Sequence, residues 1–445
     1  MNILILGYGV EGKSVENYFK HDPAIYEHTQ IDILDHFKKE ELLFKDFSNY
    51  DLIFRTPSIP PKFIEAPEEK ITSVTKFFFH HCPCPIIGVT GTKGKGTTCT
   101  MTRDLIQAIF NSETPLNTAH LVGNIGIPAL DKLPDLKEND VVIYELSSFQ
   151  LWDADISPVI SVVLRLEPDH LDVHESFAEY LAAKQNIVNF QTADDFCIYF
   201  KDNEDTVSLA SHSKAQKLTY PYPEPKLLDE LQVVGKHNRE DAEAALLATF
   251  AYFKKYRDYA KSFDDFLQDY DEPLRKALRD FKALPHHIEL VRELNGVKYY
   301  DDSFSTVSPA LRACLDSFKD TPFVLIAGGK DKGFDLYDVK RLIFDHPKLI
   351  KAVLIGETAN KLADGEDPEK FVLSGTDFEL AVKTAQELAE AKLEQEEENT
   401  DTCLVDKKPE VKTPVVLLSP CASSFDMFKS YKDRGDQFKR IVNAL

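Results

Sequence analysis

Between Gly88 and Thr100 the chain reads GVTGTKGKGTTCT, directly after the apolar run Pro85-Ile86-Ile87. A glycine-rich turn between a strand and a helix lets backbone N–H groups close around phosphate oxygens, and the helix N-terminus adds positive potential. Gly91, Thr92, Lys93, Gly94, Lys95, Gly96, Thr97 and Thr98 are therefore candidate ATP-binding residues, with Lys95 reaching the outer phosphates as a point charge. A standard phosphate loop spaces its glycines further apart and places Ser or Thr directly after the lysine. Here Gly96 takes that place, so the first hydroxyls offered to a magnesium ion are Thr97 and Thr98. The competing reading is a strand-to-helix turn that holds no ligand.

Downstream lie residues of metal-ligand type. Glu145 ends an apolar strand in YELSSFQL, and His170 follows the next one in RLEPDHLDVH. In an open α/β sheet the C-terminal ends of neighbouring strands share one crevice with such a loop. Magnesium prefers oxygen ligands, so Glu145 suits it and His170 is less typical. Lys184, in EYLAAKQNIVNF, reads on its own as a surface lysine of an amphipathic helix. An ammonium beside magnesium would be repelled unless chemically altered.

The N-terminus carries a second glycine motif, Gly7, Gly9 and Gly12, after the strand Asn2–Leu6 and before a helix reaching about Lys20. Close approach to a pyrophosphate is what such glycines allow. A strand at Ala24–Glu27 would put Glu27 where a ribose-binding acid is expected. With only about 70 residues, this unit is roughly half of a full dinucleotide-binding fold, so one nucleotide diphosphate moiety fits better than NAD. A third group spans Asp301-Asp302-Ser303, GGKDK at 328–332 and SPCASSFDMFKSYKDRG at 419–435. Each stretch follows an expected strand, so all three belong on one rim, with lysines, hydroxyls and Arg434 suited to gripping carboxylates.

The elements that position these groups follow from pattern and length. A chain of 445 residues exceeds one ordinary core. Residues 1–70, 71–284 and 285–445 read as three α/β domains in series: a small Rossmann-like unit, a central phosphate-loop unit and a C-terminal Rossmann-like unit. Val141–Glu145 and Val159–Leu164 are continuous apolar runs, as strands covered on both faces should be. Gly235-Lys236-His237-Asn238 opens a helix reaching about Lys254. Strands are expected at Leu52–Phe54, Val297–Tyr300, Phe323–Ile326, Ala352–Ile355 and Val415–Leu418. The stretch APEEK at 66–70 reads as a linker, and Glu387–Lys412 as a helix end followed by a solvated loop.

Composition restricts the partners. Lysine plus arginine number 52 against 74 aspartates and glutamates, a formal charge of −22. Such a surface repels nucleic acid and anionic lipid, so neither is an expected partner. Seven cysteines without framework spacing point to reduced thiols in a cytoplasm. His80-His81-Cys82-Pro83-Cys84 invites a zinc reading, but no second ligand pair matches it. The start, MNILILGYG, reads as a buried strand and not a signal peptide, and no apolar run approaches a membrane-spanning length.

Taken in order, GNIG (123–126), ELSSFQL (145–151), DHLD (169–172), GKHN (235–238), LPHHIE (284–289), GGKDK and SPCASSFD…RG resemble the Mur ligases, and among them the members that add D-glutamate. The resemblance runs from Gly7 to Arg434. It implies an ATP-dependent ligase of peptidoglycan precursor synthesis, adding D-glutamate to UDP-N-acetylmuramoyl-L-alanine through an acyl phosphate. The implied cofactors are ATP, two magnesium ions and CO2 as a carbamate on Lys184, which would turn that cation into an anionic oxygen ligand. A monomer acting on small molecules is implied.

By the same resemblance Val10, Glu11 and Thr56 lie on the UDP-binding side, and Asn124, Ser147 and Gln150 line the muramoyl-peptide side. Lys95, Thr97, Glu145, His170 and Lys184 handle phosphates and metal. Asn238, His287 and Asp302 hold the nucleoside, and Thr306, Lys332, Ser424 and Tyr431 grip the amino acid. The third domain would close over ATP. Three departures stand out. Gly96 follows the lysine, as in folylpolyglutamate synthetase; Phe304 stands where a lysine is usual; His287 replaces an arginine. A ligase with a different amino-acid or acyl substrate is the alternative. A dehydrogenase built on Gly7–Gly12 and a regulatory phosphate-loop protein are the rivals from other classes.

Overall fold

The computed structural model describes residues 1–222, 225–333, 336–401 and 413–445. Three sheets follow one another along the chain. The first holds β1 (Asn2–Leu6), β2 (Gln30–Leu34), β3 (Leu52–Arg55) and β4 (Ile71–Ser73) in the order β2-β1-β3-β4, all parallel. Its glycine loop enters the helix Val10–His21. The second sheet holds β5 (Ile86–Thr90), β6 (Ala119–Gly123), β7 (Val141–Glu145), β8 (Ile160–Val163), β9 (Phe196–Phe200) and β10 (Gln216–Tyr220). Its order is β10-β9-β8-β5-β7-β6, again all parallel.

The third sheet holds β11 (Glu289–Leu294), β12 (Val297–Asp301), β13 (Phe323–Gly328), β14 (Leu349–Ile355), β15 (Phe371–Gly375) and β16 (Val415–Leu418). The order is β11-β12-β16-β13-β14-β15, with β11 antiparallel to β12 and the rest parallel. Parallel neighbours need covered faces, which is why the central strands are apolar throughout. By contacts the chain forms two compact units: residues 1–231 with 238–281, and residues 232–237 with 282–445.

Two local expectations change. Residues 23–26 form a short helix, Pro23–Tyr26, capped by the Asp22 carboxylate on the Ala24 N–H, and the second strand begins only at Gln30. Proline at the first helical position after an aspartate cap favours the turn over a strand. Glu27 therefore sits on a helix end, and the acid at the end of β2 is Asp35, which accepts from the Tyr8 N–H at 3.3 Å. The polar stretch 66–70 leads straight into β4, which joins the first sheet. The helix expected from Glu387 is the end of Phe378–Asp401, and the loop expected after it lies outside the described residues.

Within the first unit the two sheets are joined by a guanidinium out of reach of water. Arg55, at the end of β3, donates through Nε to Asp153 Oδ2 at 2.7 Å and through its terminal nitrogens to Asp153 Oδ1 and the carbonyls of Ile59 and Phe149. Its side chain is fully buried. Removing one member of a buried pair strands the other, at about 3–5 kcal/mol. Arg55→Met should therefore lower unfolding free energy by that order in chemical denaturation. A loss below about 1 kcal/mol, the ceiling for exposed pairs, would show that the pair does not hold the sheets together.

Candidate active site

The phosphate-type loop leaves the C-terminal end of β5, between β7 and β8, where the strand order of the second sheet reverses. Pairing sets Val89 opposite Glu145 and Thr90 opposite Val163, so Glu145 and the loop share one rim. Gly94 is the N-cap of the helix Lys95–Glu113, in the left-handed region at φ +84°. A Cβ there would come within 2.3 Å of Asp241 Oδ1. Asp241 projects from the helix Lys236–Tyr256 and is buried, and burial pushes its carboxyl far above the usual range, with the Thr98 side chain pulling weakly the other way.

Across the loop, Thr92 donates its N–H to Arg165 O at 3.0 Å, and its hydroxyl lies 3.0 Å from Glu167 O and 2.9 Å from the Tyr180 hydroxyl. The loop is thus clamped from both flanks. Lys95 folds over it, donating to the Gly91 and Thr92 carbonyls at 3.2 and 3.0 Å. Thr98 is fully buried against Asp241, while Thr97 is only half-buried and Lys93 is exposed.

Lys184 differs from a surface lysine. Its side chain is 2 % exposed, and Nζ donates to Thr90 Oγ1 at 3.1 Å and Gly91 O at 2.9 Å. Neither acceptor is a carboxylate. Burial first, and then Lys95, push its amine well below the usual lysine range. Glu145 is buried too, and burial raises its carboxyl against the opposing pull of Lys95. Asn124 donates its amide to Glu145 Oε1 at 3.4 Å.

His170 takes a left-handed backbone, φ +55°, and its half-exposed ring packs edge-on against Phe149 at 5.0 Å, with Asp169 at 3.7 Å. Among the described residues, the one set of three His, Cys, Asp or Glu ligand atoms within 4.8 Å is His286, Glu289 and Asp301, so neither Glu145 nor His170 belongs to such a set. His174 stacks on Phe149 at 5.1 Å and pairs with the Ser148 hydroxyl at 2.9 Å. Burial holds its ring below the ordinary histidine value. His174, Asp241 and Tyr180 escape a sequence reading because each acts on a neighbour distant in the chain. The only visible signal was the second histidine of DHLDVH.

On the first sheet, Thr56 is buried and its hydroxyl donates to Leu6 O at 2.8 Å, so it secures the glycine loop. A Cβ on Gly7 would meet that hydroxyl at 2.3 Å. Val10 is exposed. Glu11 accepts from Gln150 Nε2 at 2.7 Å, which ties the first glycine motif to ELSSFQL. Burial raises its carboxyl to about 7. Ser147 caps the turn Ser148–Leu151 reciprocally with Gln150. Asn238 is buried in the first turn of its helix.

In the second unit, β12, β16 and β13 are adjacent and parallel, so Asp302, Ser419 and Gly329 do emerge on one rim. Ser419 donates to Asp302 Oδ2 at 2.8 Å, and burial raises that carboxyl to about 7. Phe304, 46 % exposed, stacks on His287 at 4.1 Å and meets Tyr431 edge-on at 5.2 Å. His287 is held neutral, its pKa lowered to about 4 by burial and then by His286. The two positions that depart from the expected cations are therefore one uncharged stack. Thr306 and Lys332 line a recess with Lys330 and Cys421, and Ser424 is buried. Arg434 is not free to grip a ligand. It is 0 % exposed and spends its donors on Ser303 Oγ, Ser303 O and Ala422 O at 2.9, 2.9 and 3.0 Å.

Comparison with known proteins gives these groups a context. The Mur ligase middle domain matches residues 89–242. The UDP-N-acetylmuramoylalanine--D-glutamate ligase of Acetivibrio thermocellus is 33% identical over 421 residues, 90% of this chain and 84% of its own length. Among solved structures, MurF from Acinetobacter baumannii superposes with TM-score 0.57 at 14% identity over 89% of this chain and 86% of its own. Mycobacterium tuberculosis folylpolyglutamate synthase, solved with ADP and AMPPCP, gives 0.52 at 13% over 82% and 92%. These structures share the fold.

Gly94→Ala would force a left-handed alanine into the Asp241 carboxylate. Such strain costs roughly 1–3 kcal/mol, so titration calorimetry with a non-hydrolysable ATP analogue should show about tenfold weaker binding or more. Unchanged affinity would mean that the loop's geometry does not set nucleotide binding. Asp302 supplies a pH test. Its folded pKa of about 7 lies above the unfolded carboxyl value of roughly 3.9. The native state holds the proton more tightly, so Asp302's contribution to stability falls as pH rises from about 4 to about 7. Asp302→Asn should flatten that decline by an amount on the order of 4 kcal/mol. Parallel denaturation profiles of the two proteins would place the proton elsewhere.

Proposed function

We propose that this chain, which belongs to the Mur ligase family, joins D-glutamate to UDP-N-acetylmuramoyl-L-alanine with the hydrolysis of ATP to ADP and phosphate. The observation that carries this reading is the 33% identity across nearly the whole chain to a D-glutamate ligase. It agrees with a clamped phosphate loop that shares its rim with Glu145 and the buried Lys184.

The chemistry asks the protein to make a carboxylate electrophilic. The alanyl carboxylate attacks the γ-phosphorus, ADP leaves, and an acyl phosphate forms. Loop N–H groups and Lys95 neutralise charge on the transferring group, the main lever in phosphoryl transfer. For that, Lys95 would exchange its carbonyl partners Gly91 and Thr92 for phosphate oxygens. The amine of D-glutamate then attacks the acyl carbon, phosphate departs, and the amide is complete.

Glu145 and Thr97 are the oxygen donors that would hold magnesium, which supplies charge neutralisation to the phosphates when bound. The fit is good: Glu145 is a buried carboxyl whose ionisation a cation would favour. Lys184 fits a carbamate for a related reason. Addition of CO2 requires an uncharged amine, and burial without a carboxylate partner favours that form. As a carbamate it would present anionic oxygens on the same rim. In the loop after β8, His174 is buried with Nε2 on Ser148, so the half-exposed His170 is the imidazole open to a ligand.

Phosphate release coupled to product mass, with MgATP and UDP-N-acetylmuramoyl-L-alanine, tests the reading against D-glutamate, L-glutamate, glycine, L-lysine and meso-diaminopimelate. Product with D-glutamate alone is expected. Turnover with another amino acid would keep the mechanism and change the substrate, and no turnover with any of them would overturn the reading. Depleting bicarbonate should lower activity reversibly. Equal activity with and without CO2 would remove the carbamate from the scheme.

A further inference from the structure

The sequence His80-His81-Cys82-Pro83-Cys84 plays no part in the chemistry above. Metal binding is disfavoured by its surroundings: His80 Nε2 pairs with Asp155 at 3.0 Å, and His81 Nδ1 with Phe77 O at 2.7 Å while its ring stacks on Phe77. The two sulfurs, by contrast, face each other. Cys82 Sγ lies 3.7 Å from Cys84 Sγ and 3.4 Å from Cys84 O. Cys82, the C-cap of the helix Val74–His81, is half-buried, and Cys84 is buried at the start of the run into β5.

We propose that Cys82 and Cys84 form a dithiol site that reacts with low-molecular-weight disulfides and closes into an intramolecular disulfide. The geometry assigns each sulfur its part. Cys82 is the more exposed of the two, and although either sulfur can donate to the other at 3.7 Å, once Cys82 is a thiolate the Cys84 S–H is the remaining donor. That contact lowers the Cys82 thiol and raises the Cys84 thiol. Thiolate character and access decide which cysteine attacks first.

Closure proceeds in two exchanges. The Cys82 thiolate attacks one sulfur of a disulfide RSSR, an S–S bond breaks, and RS⁻ leaves, giving a Cys82–SR mixed disulfide. Cys84 then loses its proton to solvent, and its thiolate attacks Cys82 Sγ. The Cys82–Cys84 bond forms, and a second RS⁻ departs. The protein loses two electrons and two protons, and RSSR becomes two RSH. The sulfurs need close only from 3.7 Å to about 2.05 Å. Pro83 fixes one backbone dihedral of the three-residue ring, so little freedom is lost on closing.

The other described thiols offer no comparable site. Cys99, Cys197 and Cys314 are fully buried with raised thiols, and the Cys421 thiol is pushed up to about 11.

The test is incubation of the full chain with excess oxidised glutathione, acid quenching, and mass analysis of the peptide between Lys76 and Lys93, which contains both cysteines. The expected result is loss of two hydrogens from that peptide, reversed by a dithiol reductant. Cys84→Ser should instead accumulate a glutathione adduct on Cys82, and Cys82→Ser should leave the peptide unmodified. An unmodified wild-type peptide would overturn the proposal. So would a wild-type peptide that stops at the mixed disulfide, since Cys84 would then not be placed to resolve it.

Discussion

A buried amine with no carboxylate hydrogen-bonded to it sets the terms for the central unit. Lys184 is held by Thr90 and Gly91, the last residue of a central strand and the first of the phosphate loop. Every neighbour must accommodate a cation that burial works to discharge. Tyr180 offers its ring face 4.8 Å from Nζ and its hydroxyl to Thr92, so one side chain serves both lysine and loop. Glu145 lies near enough to feel the same field. A group at such cost in a buried site is a mark of chemistry more than of stability.

Buried guanidiniums do the opposite kind of work. Arg55 and Arg434 are both sealed, and both direct donors at acceptors far away in sequence: Phe149 and Asp153 for one, Ser303 for the other. A planar fork with several fixed donors suits this role better than a lysine would. These two buried cations are thus structural, while the lysines carry the candidate chemistry.

How much of this the sequence discloses depends on where an element sits in its sheet. Central strands such as Val141–Glu145 and Val415–Leu418 are apolar on both faces and legible as runs. Edge strands such as Gln30–Leu34, Gln216–Tyr220 and Glu289–Leu294 are half-exposed and mixed in composition, so their pattern fades into that of loops. Phe196–Phe200 shows that even a buried strand passes unnoticed when no chemical motif draws attention to its end. The candidate site divides in the same way. Glycines and the residues at strand ends announce themselves by type and spacing. Asp241 does not, because its effect on Gly94 exists only once the helix Lys236–Tyr256 packs against the loop. Nor could type alone separate Arg434 from Lys332; burial does.

The stack of His287, Phe304 and Tyr431 carries a consequence for ionic strength. At this rim the imidazole is neutral and the nearby Lys330 is already neutralised by Glu357 at 2.6 Å. The molecule as a whole carries a formal charge of −22. An anion approaching from solution is therefore not drawn in by a long-range field, and its attachment depends on contacts made at close range, Lys332 among them, which dissolved salt screens far less. Added salt would even help, by shielding the incoming anion from the acidic surface it must cross.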